Sequence, residues 1–499
     1  MLRVEEATPS PPEPRRSGPR WHASWRLDAT VLAIVSILIR IPALLATRSL
    51  VFDDGVFASS VLAMRAGEAP FRDVFSSQGP VFLPLMWLGD LIGLRTLDAP
   101  RVVPVAAGVL VTIAVYSCAR RLTTRGNALL AAGLVTTSGS VLWVTAPANA
   151  DGPSLALSVL ALAFALRYRD DPRLRNAVWV GLAAGAAVSV KALSVPAVVI
   201  AGLVVLLTHR RVRDAVTAAG LAVAVYLVTA LPWGVSRVWA QSYTYHANSP
   251  RSNTYSGALH KIVNTLWDRD ILVVVALALA GVAFLVRYFT RERAPVRAET
   301  RAATVDPANA DVDLRYAVAG IVLWVAMLVA LMVWEPGLWR AHVAHLIPPL
   351  ALLAALRPPS WKVLLVAAVI TVPFAVTQNR SILWPSGYTG NEAALVHRIR
   401  ELPDNALVIS DDPGFVWRAG HRTPGELVDT SFQRIDLGQI TERSLAEAAS
   451  ARDVCGLVTS SGDHFLRFKG LPQRLAAEGY QPEHFGPKIT LYVRPDCTA

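Results

Sequence analysis

Uninterrupted apolar runs recur along this chain from Thr30 to Val376, and about 20 apolar residues are what a helix needs to cross the hydrocarbon of a bilayer. Inside lipid each crossing segment must satisfy its own backbone N–H and C=O groups, so continuous runs of this kind read as helices. Candidate spans fall near 29–47, 101–119, 128–146, 152–167, 176–191, 194–208, 214–232, 271–289, 316–334, 342–357 and 361–376. The two runs that meet at Lys191 to Pro196 also read as one broken helix. The expected fold class is a polytopic α-helical membrane protein of about 11 transmembrane helices, with interfacial helices in its first outer loop and a small C-terminal α/β extracytoplasmic domain.

Charge sets the orientation. A net charge of +11 is a nucleic-acid signal in a soluble protein, but here charged residues are only 17% and the arginines sit in short loops between apolar runs. Arg120-Arg121-Leu-Thr-Thr-Arg125, Arg167 to Arg175, His209 to Arg213, Arg287 to Arg301 and Arg357 to Lys362 all fall on one side, which marks it as cytoplasmic and leaves no nucleic-acid partner to expect. Residues 1–27, rich in Pro, Glu and Arg, are expected to be a disordered cytoplasmic tail. They do not read as a cleaved leader, because the first run carries Arg40 and Pro42 and lacks a small-residue cleavage site. Three parts follow: the 1–27 tail, a 28–376 transmembrane module and a 377–499 extracytoplasmic domain, in a multi-pass protein of the plasma membrane.

Directly after the first run comes Ser49-Leu-Val-Phe-Asp-Asp-Gly-Val-Phe57. Trp, Tyr, Lys or Arg would anchor a loop at that depth, whereas adjacent carboxylates, Asp53 and Asp54, suit proton abstraction or cation binding; a solvated Asx turn is the plainer reading. Val56 to Met64 and Pro80 to Leu94 are too short to span and read as interfacial helices, with Trp87 and the Phe residues at headgroup depth. The link between them, Phe71-Arg-Asp-Val-Phe-Ser-Ser-Gln-Gly-Pro80, can fold back toward the acids and bring Asp73 and Gln78 with it. A second outer loop, Trp233 to Asp270, alternates aromatics with hydroxyls and amides, as in Gln241-Ser-Tyr-Thr-Tyr-His246. Tyr243 and Tyr245 thus serve either sugar stacking or an interfacial belt.

Three further features carry chemistry. Asp151, in Ala150-Asp-Gly-Pro153, is either a helix N-cap or a substrate ligand. Lys191 closes an apolar run and either snorkels to the surface or meets an anion. In Trp339-Arg-Ala-His-Val-Ala-His345, the cations Arg340, His342 and His345 gather at the start of a helix, a phosphate-clamp arrangement; two His alone are a poor metal set. The region from 377 onward has short strands at Ala406 to Ser410, Val454 to Thr459 and Ile489 to Val493, and helices near Ser444 to Ala451 and Leu471 to Glu478, with no phosphate-binding glycine loop. Cys455 and Cys497 lie where an oxidising compartment allows a disulfide.

Taken in order, the acid pair, Arg-Asp-Val-Phe, Gly-Pro before an interfacial helix, Ala-Asp-Gly-Pro, a Gly-rich helix ending in Lys, and Arg-Ala-His before Ile-Pro-Pro-Leu-Ala-Leu-Leu-Ala-Ala resemble the GT-C glycosyltransferases of the protein-mannosyltransferase and aminoarabinose-transferase type. The likeness covers about 29–376, and the final domain is similar to the outer domain of bacterial members. The resemblance implies transfer of a sugar, hexosyl or pentosyl, from a polyprenyl-phosphate donor to an extracytoplasmic glycan, lipid or protein, with inversion. It puts catalysis on Asp53, with Asp54 in place of the more usual Glu, and sets Lys191, Arg340 and His342 on the lipid phosphate. The chain departs from the pattern at Gln78-Gly79-Pro80, where Lys-Pro-Pro is common. A divalent cation, Mg or Mn, would be a fitting bridge between acids and phosphate. The competing expectations are a transporter of a lipid-linked or small polar substrate and a noncatalytic anchor for the α/β domain.

Overall fold

The computed structural model describes residues 19–291, 307–462 and 464–497. Among these, seven helices are long and apolar enough to cross a membrane: Ser24–Leu44, Ala99–Leu122, Ala192–His209, Val212–Trp233, Ile271–Thr290, Arg315–Trp334 and Trp361–Gln378. The pair Arg125–Thr137 and Gly139–Thr145 passes the same test as one span bent by 60°. The remaining predicted runs are helices too, Asp151–Asp170, Leu174–Val190 and the stretch Arg340–Leu356, but each is too short or too polar to count on length and hydropathy alone. The chain is a multi-pass membrane protein.

Two polar residues inside these helices are explained by their partners. Arg40 donates to the Ser36 carbonyl at 2.8 Å within its own helix and through Nε to Thr145 Oγ1 at 2.8 Å, so one arm of its guanidinium joins the first helix to the bent pair, while Nη2 is buried without a hydrogen-bond partner. The bend itself falls at Ser138, whose hydroxyl accepts the Val141 N–H at 3.2 Å, while Asp270 accepts the Ser140 N–H at 3.1 Å. A carboxylate bound to the freed backbone makes the break a stable feature.

Residues 19–27, expected in a disordered tail, instead begin the first helix, Pro19–Leu44; the rest of that tail, 1–18, and the basic stretch 292–306 lie outside the described residues. The two short helices of the first outer loop form as expected, Phe52–Arg65 and Phe82–Ile92, and Arg65 pins them together by donating to Asp90 at 3.0 Å. Phe57 and Phe82 are buried against each other, edge-on at 4.6 Å, while Trp87, Leu88 and Ile92 face outward. The C-terminal domain packs on the first of the two helices, where Gly55 approaches Gly414 so closely that a Cβ would strike its backbone, and Trp417 donates to the Leu97 carbonyl at 3.0 Å just beyond the second.

The C-terminal domain is a four-stranded sheet in the order β1-β2-β4-β3, with β1 (Leu407–Ser410) parallel to β2 (Val454–Thr459), and β4 (Thr490–Val493) antiparallel to both β2 and β3 (Gln481–His484). Helices Glu442–Ala449 and Leu471–Ala477 match the sequence reading. Strand β3 was not legible: it is an exposed edge containing Pro482, so it shows neither apolar alternation nor β-branched residues. Cys455, in β2, is bonded to Cys497 with Cα atoms 5.6 Å apart.

Candidate active site

A cavity of about 1260 Å³ opens between the helical module and the C-terminal domain, and both build its walls. Asp53 stands in the first turn of the Phe52–Arg65 helix, half-buried on the cavity wall, where its carboxylate accepts from Asn149 Nδ2 at 3.0 Å. Burial pushes its pKa up to about 6; the nearby Lys191 ammonium opposes that rise, and Asp151 and Asp429 add to it. A carboxylate that is ionised near neutral pH yet poised to take a proton suits a general base.

Asp54 is different in kind. It is fully buried and does not face the cavity, and its oxygens accept from Arg101 Nε at 3.1 Å, the Ala148 N–H at 2.7 Å and the Leu50 N–H at 2.9 Å. Successive helical residues point about 100° apart, so one acid of an adjacent pair turns inward when the other faces the cavity. The catalytic role expected for Asp54 is therefore withdrawn: it anchors Arg101, which also donates to the Ala43 and Ala46 carbonyls at 2.9 and 2.8 Å and packs over Trp417.

Opposite Asp53 the basic residues form a chain. Lys191, where the Leu174–Val190 helix ends, donates to Asp151 Oδ2 at 2.9 Å and lies 3.1 Å from His342 Nε2; His342 Nδ1 lies 2.8 Å from Glu335 Oε2. Burial pushes Glu335 up, but the facing His342 and the Lys191 charge hold it below the ordinary Glu value. Asp151 is in the first turn of its helix and makes no capping bond, so the N-cap reading fails; the carboxylate lines the cavity, where it is paired with Lys191. His345 is buried behind Asp151, 3.4 Å away and off the cavity wall, so the phosphate role expected for it does not fit. Arg340 does line the cavity and pairs with Asp268 at 3.0 Å, both half-exposed.

The folded-back link arrives as expected, though only in part. Gln78 lines the cavity, and Gly79 packs against Ser189 so tightly that a side chain would collide with the Ser189 carbonyl, which explains a glycine there. Asp73 stays off this cavity wall, half-buried, paired with Arg72 at 2.8 Å and accepting the Ala69 N–H, which removes it as a substrate contact. A single π-helical turn, Ala240–Thr244, fastens the link: Ser242 donates to the Gln78 carbonyl at 2.6 Å and His246 to the Ser77 carbonyl at 2.9 Å. From this turn Tyr243 and Tyr245 reach the cavity, Tyr245 bonding Ser431 at 3.2 Å, while Trp239 stacks on Tyr243 from the exposed side.

Sequence reasoning missed Asn149, Glu335, Arg269 and the whole C-terminal contribution, Glu392, Asp412, Asp429, Ser461 and His464 among it. Asn149 and Glu335 each flank a residue that was singled out, two positions before Asp151 and five before Arg340, and polar residues at the end of an apolar run were the available signal. Burial pushes the Asp412 carboxyl up to about 6. Among the described residues no three His, Cys, Asp or Glu side chains gather to hold a metal.

Residues 77–235 match the family described as dolichyl-phosphate-mannose-protein mannosyltransferase. No curated protein matches the chain by sequence. Among solved structures, the chain is similar to ArnT from Cupriavidus metallidurans bound to undecaprenyl phosphate, with a TM-score of 0.60 at 14% identity over 95% of this chain and 98% of that one. The apo state of the same protein gives a TM-score of 0.58. The Archaeoglobus fulgidus oligosaccharyltransferase tethered with an acceptor peptide gives 0.50 at 14% identity, over 89% of this chain and 69% of that one. The chain therefore shares the fold of ArnT over nearly its whole length, C-terminal domain included.

Proposed function

We propose that this protein is a membrane glycosyltransferase that moves a hexosyl or pentosyl unit from a polyprenyl-phosphate donor to an acceptor hydroxyl at the outer face of the membrane. The observation that carries the reading is the composition of one cavity. It holds an Asp53 carboxylate of raised pKa, the cations Lys191, Arg269 and Arg340, and an apolar stretch of wall at Leu193, Leu331 and the exposed Trp334, which in this reading is the way out to the bilayer. A lipid-linked phosphate needs each of these in one place: a base, a cationic cradle and a greasy way out to the bilayer. The match of residues 77–235 to a mannosyltransferase family, and a fold shared with a protein whose crystal structure is bound to undecaprenyl phosphate, support the same assignment.

In this reading Asp53 takes the proton of the acceptor hydroxyl as its oxygen attacks the anomeric carbon. The bond from that carbon to the phosphate oxygen breaks, and polyprenyl phosphate leaves with a second negative charge, stabilised by Lys191 and Arg340. One displacement inverts the anomeric centre. The acceptor, a glycan, lipid or protein, enters from the C-terminal domain, whose Ser431, Ser461 and Asp429 line that side. The N-terminus is then cytoplasmic and the α/β domain extracytoplasmic. The test is passage of radiolabelled sugar from polyprenyl phosphate to envelope acceptors in proteoliposomes, with product anomers assigned by NMR; absence of transfer from every polyprenyl-phosphate sugar supplied, by a protein that is folded, would refute the reading.

A further inference from the structure

The chain Glu335–His342–Lys191–Asp151 restricts where protons can sit. Its links measure 2.8, 3.1 and 2.9 Å, and each is a donor–acceptor contact. A Lys ammonium has no lone pair, so an ammonium facing His342 Nε2 requires that nitrogen to accept. The imidazole proton must then be on Nδ1, where it donates to the Glu335 carboxylate. A carboxylate on one ring nitrogen fixes the tautomer and the orientation of the other. An imidazolium would instead set N–H against N–H across the 3.1 Å contact. The hydrogen-bond pattern is thus satisfied with a single positive charge on the Lys–His pair, carried by Lys191. Two of the three Lys191 protons are occupied, by Asp151 and His342, and Lys191 itself lines the cavity.

We propose that Glu335 is a positioning residue which, by holding His342 as an Nδ1–H acceptor, aims the remaining N–H of Lys191 at the donor phosphate. This rests on the glycosyltransferase reading and refines it: His342 acts through Lys191 and does not itself contact the phosphate. Glu335 is placed for the task because it directly follows the Arg315–Trp334 span, at the same cavity wall as the residue it orients.

The substitution that isolates this is Glu335→Leu, which keeps approximate size but removes the acceptor for the Nδ1 proton, so that nothing holds the imidazole in the form that accepts from Lys191. Affinity for undecaprenyl phosphate, measured by native mass spectrometry in detergent, should fall at least tenfold. The donor KM in the transfer assay should rise by a similar factor, with the melting temperature unchanged. In a His342→Gln background, where an amide oxygen supplies the acceptor for Lys191 without any tautomer to set, adding Glu335→Leu should change affinity less than twofold. Unchanged affinity in Glu335→Leu alone, or a penalty of equal size in both backgrounds, would overturn the proposal. Wild-type protein that fails to bind undecaprenyl phosphate at all would strike the functional reading itself, and so separates the two failures.

Discussion

Two adjacent carboxylates allow a sharp experiment, because the structure assigns them opposite consequences. In Asp53→Asn the amide keeps the side chain's size and its place beside Asn149 but loses the basic oxygen. General-base assistance contributes about 10² to 10⁴-fold, or about 3 to 5 kcal/mol of transition-state stabilisation. Transfer should fall by that factor. Stability should not, because burial holds the Asp53 pKa near 6, above the ordinary carboxylate value, and at neutral pH the neutral amide is spared that penalty. In Asp54→Asn the reverse holds: Arg101, with no exposed side-chain surface, loses its counter-ion. Breaking one side of a buried ion pair costs about 3 to 5 kcal/mol, so the melting temperature should drop while any folded fraction keeps its donor affinity. The wild type adds a pH arm. A base of pKa about 6 must be ionised to act, so kcat/KM should fall about tenfold from pH 7 to pH 5 as Asp53 is protonated, whereas an ordinary carboxylate would remain ionised throughout. The assay follows labelled sugar in liposomes alongside thermal melting of each variant. Near-normal turnover by Asp53→Asn, or a flat profile down to pH 5, would refute the assignment; an Asp54→Asn protein with full stability would refute the anchoring role.

Arg340→Ala should raise the donor KM at least tenfold yet cost less than about 1 kcal/mol of stability, since its pair with Asp268 is half-exposed; unchanged donor affinity would remove Arg340 from the cradle. Cys497→Ser opens a bond spanning 42 residues, and loop entropy puts the loss at about 4 kcal/mol, read as a lowered melting temperature that dithiothreitol reproduces in the wild type; insensitivity to reductant would contradict it. Single-cysteine reporters at Ser252 and Ala477 should react with membrane-impermeant maleimide in intact cells, and one at Thr124 only after permeabilisation; protection of Ala477 would invert the proposed orientation.

The helical architecture was legible because lipid imposes a length and a composition on every crossing segment, and both are local properties of the chain. All eleven predicted runs are helical. Asp53, Lys191 and Arg340 could be singled out for the same reason: a charge at the end of an apolar run is costly enough to need a cause. Strands of the C-terminal sheet announced themselves when buried, and the exposed edge strand β3 did not. Which of two neighbouring acids faces the cavity depends on helix rotation, and that was set by a partner 47 residues away, Arg101. Likewise His345 was separated from His342 only by the packing of Asp151 between it and the cavity. Asn149 and Glu335 stand at the ends of apolar runs and Asp412 beside a second acid, Asp411, but only folding brings them to the cavity, and an isolated Asp such as Asp429 is ordinary until folding desolvates it. The sequence by itself determined that the chain crosses a membrane and where charge is worth explaining; the tertiary structure decided which charges are spent on one another and which remain for a substrate, since pairing and burial arise only between segments distant in the chain.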